Sequence, residues 1–469
     1  MDRQIANFLV ALIFTLAAAF LPLSADAKSM VNRTPSSADV TQAEWNAQQL
    51  VAADKSDVIM RDARKLPGLL AQYAFMQLAY DANHERAFQI IFGQYLSWYQ
   101  TFIGDYPGAA ASFSIAQPPQ PDDGHSPLAG GYHPEPAADV ILRQAKGRKA
   151  VFFNEAHSAP ITRSLTVQLL SGLRAEGFNY FAAETLYAAD SGLQKRGYPI
   201  PESGFYINEP IYGEMIRTAL KLGFKVIPYD VENAGVGNPR ERAGARNLAA
   251  IFKHDPDARL VVDAGFAHIQ KSGAYLRGRS MAEFFHEISH IDPLCIEQTM
   301  MIQHARADQD HPYYLAAIQA ANPKVPIVYV AAGDKTWTLK PKKYDMSVIF
   351  PASSDNNGRP DWLTLGGLRV AYPITSDLCN KKFPCLIQAF YADETENSVA
   401  ADRALINVVD PKASIAQRIL PDHGNSRSQL FLRPGEYRIT ATDRNDHRLF
   451  SRKITVSSAK STKSSVDGK

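Results

Sequence analysis

Cysteine is scarce in this chain, with three residues in 469, and no two of them form a Cys-x-x-Cys pair. That excludes a thiolate zinc site of the usual spacing. The missing Cys-x-x-Cys-His excludes covalently attached haem. No Gly-x-Ser-x-Gly elbow occurs, so no serine nucleophile of that type is expected. An excess of charge is also lacking: 50 basic and 48 acidic residues leave a net +2. Such balance gives no electrostatic footprint for nucleic acid or an anionic membrane surface. Beyond the N-terminus no segment approaches the roughly 18 apolar residues of a membrane span, and no internal repeat is present.

What is there begins with an export pattern. Arg3 precedes an apolar stretch from Phe8 to Leu21, and Ala25-Asp26-Ala27 supplies a small-x-small cleavage site. Residues 1–27 are therefore expected to be a signal peptide, with a periplasmic or secreted chain starting at Lys28 and no stable membrane anchor after its removal. A retained anchor is the alternative, opposed by the short apolar core and Pro22. No Cys follows that core, which argues against a lipoprotein. Cys379 and Cys385, with five residues including Pro384 between them, suit a small disulfide in an exported protein, and two reduced buried thiols remain the other reading. Cys295, inside Leu294-Cys295-Ile296, reads as a buried structural thiol.

The remaining length exceeds what one core usually serves. Residues 28–106 read as a helical N-terminal region, loosely held at first, with helical spacing from Leu66 to Phe102. Its Tyr95, Trp98 and Tyr99 fit a core face better than a pocket. Residues 107–137, with Gln117-Pro118-Pro119-Gln120-Pro121, read as a Gly/Pro-rich linker or loop without a regular element. Residues 138–345 alternate strand and helix, with strands expected at 149–154, 179–185, 224–230, 258–264, 294–301 and 326–332. Asn208 with Pro210, Asn238 with Pro239, and the capping box Ser280-Met281-Ala282-Glu283 open helices. The fold class is α/β, a mostly parallel sheet flanked by helices. Residues 346–456 read as a small β unit with a hairpin turning near Arg444-Asn445-Asp446, and 457–469 as a disordered tail.

Four successive strands end in polar residues. The run Ala150-Val151-Phe152-Phe153 leads into Asn154-Glu155-Ala156-His157, and a helix with Pro160 at its start and Leu165, Leu169 and Leu173 follows. The second strand ends in Glu184, the third in Asp230 with Glu232 beyond, and the fourth runs through Asp263 and a flexible Gly265 to His268. Parallel strands bring their carboxyl ends to one rim, where ligands of open α/β sheets bind. The set suits a divalent metal held by His nitrogen and carboxylate oxygen, with His157, Glu155, Glu184 and His268 as candidate ligands. It also suits a metal-free His base oriented by a carboxylate. Singly, Glu184 reads as well as an ion-pair partner or cap, and Asp230 as a turn residue.

Residues 149–187 resemble the superfamily of erythromycin esterases and ChaN-like haem-uptake proteins, to which TraB/Tiki proteins are distantly related. The likeness extends in order through Pro239-Arg240-Glu241-Arg242 with Asn247-Leu248, Gly265-Phe266-Ala267-His268 and Arg279-Ser280-Met281-Ala282-Glu283-Phe284, covering about 138–335. Asn154 stands where the family has Gly, the Glu155-x-His157 spacing matches the ChaN-like form, and the late motif keeps only His268. These departures argue against a macrolide substrate. The resemblance implies His157 as base, Glu155 and Glu184 as orienting or metal-binding acids, and His268 as a substrate or metal partner.

Two functional readings follow. One is an exported hydrolase of an ester, lactone or amide, with Arg163 or His268 steadying the oxyanion and either no cofactor or one divalent metal. The other is a non-catalytic carrier of haem or another small ligand in the same crevice. A third, a cell-envelope protein whose C-terminal β unit binds a partner, has no residue pattern behind it.

Overall fold

The computed structural model describes residues 41–231, 234–235, 237–356, 359–407 and 427–458. The expected signal peptide and nearly all of the expected tail lie outside them, as does Glu232. Among the described residues no helix is long and apolar enough to cross a membrane.

The sheet is built from short apolar runs. It contains β2 (Ala150–Glu155), β3 (Tyr180–Ala183), β4 (Lys225–Pro228), β5 (Leu260–Gly265), β6 (Leu294–Glu297) and β9 (Met346–Ser347), in the order β4-β3-β5-β2-β6-β9. Every pairing is parallel. Successive side chains point to opposite faces, so Val151 and Phe153 enter one core and Phe152 the other. The first core receives α5 (Ala137–Ala145), α6 (Ile161–Ala175) and α8 (Pro210–Lys221). The second receives α9 (Asn238–His254) and α10 (Met281–Ser289). Leu165, Leu169 and Leu173 of α6 are buried, each worth about 2 kcal/mol of apolar burial. The expected α/β class is the one observed.

The N-terminal helices α1 (Gln42–Ala63), α2 (Gly68–Asp81) and α3 (Arg86–Phe102) pack on the first core. Trp98 meets Phe205 and Tyr206 edge-on, so the α3 aromatics form core rather than pocket. Two expectations need correction. The segment at 107–137 is not without regular structure: α4 (Tyr106–Ser112) occupies its start, capped by Asp105, and β1 (His133–Pro136) its end. The strand expected at 326–332 forms, as β7 (Ile327–Ala331), but outside the parallel sheet. It pairs antiparallel with β1 and with β8 (Lys335–Thr336), and β9 takes the sheet edge instead.

The C-terminal β unit is antiparallel. A four-stranded sheet, β14-β13-β16-β17, is formed by β13 (Cys385–Tyr391), β14 (Asp402–Ile406), β16 (Gly435–Thr442) and β17 (Arg448–Val456). Beside it β12 (Val370–Thr375) pairs with β15 (Arg427–Leu432). The β16–β17 hairpin turns at Asp443–His447, as expected. Cys379 and Cys385 form a disulfide, and Cys295 is a buried free thiol. This unit is fastened to α8 by buried ion pairs. Arg217 binds Glu394 through two 2.7 Å contacts, while Glu214 gathers Arg369, Arg433 and the Tyr391 hydroxyl. Burial opposes the charge on Glu214, but Arg369 and Arg433 outweigh it and hold its pKa at about 2.

Candidate active site at the strand carboxyl ends

Sheet order decides which polar residues meet. The chain runs outward from β2 to β3 and β4, then returns to insert β5 between β3 and β2. Glu155 is thus in register with Gly265, and Ala183 with Asp263. Glu155, Gly265 and Glu184 end three adjacent strands, and His157 and His268 follow in the next turns.

His157 is 2% exposed. Its Nδ1 lies 2.8 Å from Glu155 Oε1, an acceptor-only carboxylate oxygen, so Nδ1 carries a proton. Nε2 of the same ring is buried and has no hydrogen-bond partner among the described residues. The ring stacks on Tyr206 at 4.2 Å and meets Phe266 edge-on at 5.0 Å. Glu155 is buried, which disfavours its charge, yet Arg163 and His157 hold its pKa below the usual carboxylate range. Arg163 does not face substrate space as an oxyanion donor would. It is fully buried, 2.8 Å from Glu155 Oε2 and 3.0 Å from Glu209 Oε2. Its role is to position Glu155.

Glu209, not Asn208, caps α8. Its backbone is extended, and its carboxylate accepts the Ile211 and Tyr212 N–H groups. One residue thus caps a helix and braces the site's arginine. Burial raises its pKa despite Arg163.

Glu184 is fully buried. Oε1 pairs with Arg240 at 2.6 Å, and Oε2 accepts the Gly265 N–H at 2.6 Å. Burial opposes its ionisation, but His268 and Arg240 prevail and hold it well below the usual range. His268 places Nδ1 2.7 Å from Glu241 Oε2 and Nε2 3.5 Å from Glu184 Oε1. Burial would lower its pKa, but Glu241 and Glu184 raise it to about 10. His268 is therefore an imidazolium at neutral pH. Arg240 also binds Asp230 at 2.7 Å and approaches His268 Nε2 at 3.4 Å. Three carboxylates offset these two cations.

Gly265 is where the two halves meet. A Cβ there would lie 2.5 Å from His157 Nε2 and 2.8 Å from Glu184 Oε2, so the imidazole and the carboxylate converge on one point that only glycine leaves open. Asp263, by contrast, points into the first core's edge. Burial and the nearby Glu155 carboxylate push its pKa far up, and Thr166 hydrogen-bonds it at 3.0 Å. Its surroundings favour the protonated form.

The donor set does not fit a metal ion. Among the described residues no three His, Cys, Asp or Glu side chains group as ligands would. The positive charge beside Glu155 and Glu184 is already supplied by Arg163 and Arg240, and both His268 nitrogens face partners. Among the described residues His157 Nε2 is left without a hydrogen-bond partner, as is Glu241 Oε1. Of the expected residues, Glu155, His157 and Arg163 form one hydrogen-bonded group, Glu184, His268 and Asp230 gather around Arg240 in another, and the two meet at Gly265. The sequence reading missed Glu209, Tyr206 and the roles of Arg240 and Glu241. The Arg240-Glu241 pair in the first turn of α9 was the available signal.

A cleft of about 60 Å³ reaches this rim, lined by Phe113, Ile115, Ser158, Phe266, Ile302 and His304 among others. Among the described residues no Asp, Glu, Lys or Arg lines it. Asn154, where the resembled family has glycine, fixes the floor: Nδ2 donates to the Phe266 carbonyl at 2.8 Å, and Oδ1 accepts the Gln298 N–H at 2.6 Å.

Fold and site together define a parallel α/β protein with a His–carboxylate centre at its strand carboxyl ends. No family model matches the sequence, and no curated protein matches it. Solved structures resemble it weakly. The type III effector HopBA1 aligns at TM-score 0.26 and 13% identity, over 41% of this chain and 96% of the other. RRSP, a MARTX toxin effector domain from Vibrio vulnificus, aligns at 0.26 and 12%, over 55% and 46%. A structure described as bacterial protein toxins aligns at 0.26 and 13%, over 58% and 70%. Likeness at that level carries no argument about chemistry.

Proposed function

We propose that this protein is an exported, metal-independent hydrolase of a carbonyl substrate, an ester, lactone or amide, with His157 as general base. One observation carries the reading: a buried imidazole whose Nδ1 is locked on Glu155 while Nε2 has no partner. A buried nitrogen lone pair left unpaired costs about 1–3 kcal/mol, a cost that a base awaiting its proton donor explains.

His157 Nε2 takes a proton from water as the oxygen attacks the carbonyl carbon. Glu184, anchored by Arg240 and the Gly265 N–H, orients that water. The imidazolium of His268 offsets the negative charge that develops on the carbonyl oxygen. When the tetrahedral intermediate collapses, the carbon–oxygen or carbon–nitrogen bond breaks and the leaving group takes the proton from His157.

The test is turnover of neutral p-nitrophenyl esters and aryl lactones by the purified chain. The expected result is hydrolysis that survives prolonged chelation and falls roughly 10²–10⁴-fold in kcat with His157→Ala. Loss on chelation with rescue by a divalent cation overturns the metal-free mechanism, and hydrolysis unchanged by His157→Ala overturns the role of His157.

A further inference from the structure

The base and the cleft do not touch. The cleft is lined by both sequence neighbours of His157, Ala156 and Ser158, yet His157 itself is absent from its wall and its Nε2 is buried. The side chain that lines the cleft and also packs on the imidazole is Phe266, with ring centroids 5.0 Å apart and an interplanar angle of 81°. Its backbone is held in the left-handed region at φ 45°, which an aromatic residue rarely adopts. Asn154 pins its carbonyl at 2.8 Å. The backbone is therefore fixed from one side while the ring is half-buried between cleft and base.

We propose that Phe266 is the gate and specificity-determining residue of this site: its ring closes the apolar cleft off from His157, and a substrate reaches the base only by displacing that ring. This rests on the reading of His157 as the base, and it adds the class of substrate. The walls supply apolar surface from Phe113, Ile115 and Ile302 and neutral hydrogen-bonding groups, with no Asp, Glu, Lys or Arg among the described residues. Burying a substrate's charge there without a partner is costly, so the cleft takes an uncharged molecule with an apolar arm. At the cleft wall, His304 is oriented as His157 is. Its Nδ1 lies 2.9 Å from Asp310 Oδ1, and no described residue hydrogen-bonds its Nε2. His304 stands in the cleft wall with its side chain 5% exposed, whereas His157 lies behind Phe266 and has no place in that wall.

That arrangement is testable without turnover. Diethyl pyrocarbonate carboethoxylates a neutral imidazole, forming a nitrogen–carbon bond as ethyl carbonate leaves and decays to ethanol and carbon dioxide. Labelling rates at His157 and His304 are followed by peptide mass spectrometry in the full chain and in Phe266→Ala and Phe266→Leu. In the unaltered protein His157 is expected to label at least tenfold more slowly than His304. Phe266→Ala should raise the His157 rate at least fivefold and leave His304 unchanged, with Phe266→Leu between. His304 labelling reports whether each variant keeps its fold, and Phe266→Leu decides if Phe266→Ala does not. Equal rates in the unaltered protein, or no acceleration at His157 in a folded variant, overturn the gate.

A second arm separates this from the proposed activity. Phe266→Ala should raise kcat/KM for p-nitrophenyl hexanoate relative to the acetate, and neither protein should accept the negatively charged p-nitrophenyl hemisuccinate. Acceptance of the hemisuccinate overturns the substrate class. Changed labelling with no ester turnover in any variant sinks the hydrolase reading and keeps the gate. Turnover that depends on His157 with unchanged labelling does the reverse.

Discussion

His268 and Glu241 are joined by a 2.7 Å contact between Nδ1 and Oε2, and that pair sets the charge of the inner half of the site. Glu241 also accepts the Met281 N–H at 2.9 Å, so the carboxylate is held by the start of α10 as well as by the imidazole. Removing its charge leaves the geometry and weakens the hold on the proton. Glu241→Gln is expected to lower the His268 pKa from about 10, read by proton NMR of the ring Cε1–H. An unshifted titration would show that Glu184 alone keeps His268 charged.

Stability should depend on pH at both ends. His268, raised to about 10, contributes stability that is complete below its unfolded value and lost as pH rises through 10. Glu214, held at about 2, works oppositely: its contribution is present above the ordinary carboxylate range and lost as pH falls toward 2. A depression of that size is worth roughly 3 kcal/mol. Glu214→Gln should therefore lower the midpoint of urea unfolding at pH 7 and flatten the loss of stability on acidification. Equal acid sensitivity in the variant would count against the ion-pair cluster at α8.

Gly265→Ala tests the close approach at the centre. A Cβ there would sit 2.4 Å from His157 Cε1, so the ring must shift. The expected cost is about 1–3 kcal/mol of stability, with a drop in kcat well beyond what that loss explains. Activity within twofold of the unaltered protein would mean that His157 need not stay where it lies.

Arg163→Ala leaves Glu155 and Glu209 buried without their shared cation. Breaking a buried pair in this way costs roughly 3–5 kcal/mol, measurable as a lowered Tm. Arg163→Lys should restore part of it, since a single ammonium cannot reproduce both contacts.

Much of this site was legible because its elements are local. Ala150-Val151-Phe152-Phe153 is apolar without interruption, as a strand covered on both faces must be, so the residues after it could be placed at a strand end. Glu184 and His268 followed by the same logic. Glu241 was not legible as a partner because an acid in a helix's first turn is also what the helix dipole favours. Glu209 was obscured by Asn208, the better capping residue by type, which lies in the preceding turn. The strand at Ile327–Ala331 was recognised but assigned to the wrong sheet, since apolar sequence marks a strand without naming its neighbour. Its partner, His133-Pro134-Glu135-Pro136, carries two prolines and does not resemble a strand at all.

The fastening of α8 has a consequence for how this chain can be divided. One end of that helix holds Arg163 through Glu209, and the other faces carry Arg217 and Glu214 into the C-terminal strands. A boundary at residue 345 looks natural in sequence, yet cutting there would strand two buried charges on α8 and loosen the helix that braces Arg163 and, through it, Glu155. The β unit is thus no appendage to be trimmed for a minimal catalytic fragment. A single helix ties its packing to that of the His157–Glu155 pair.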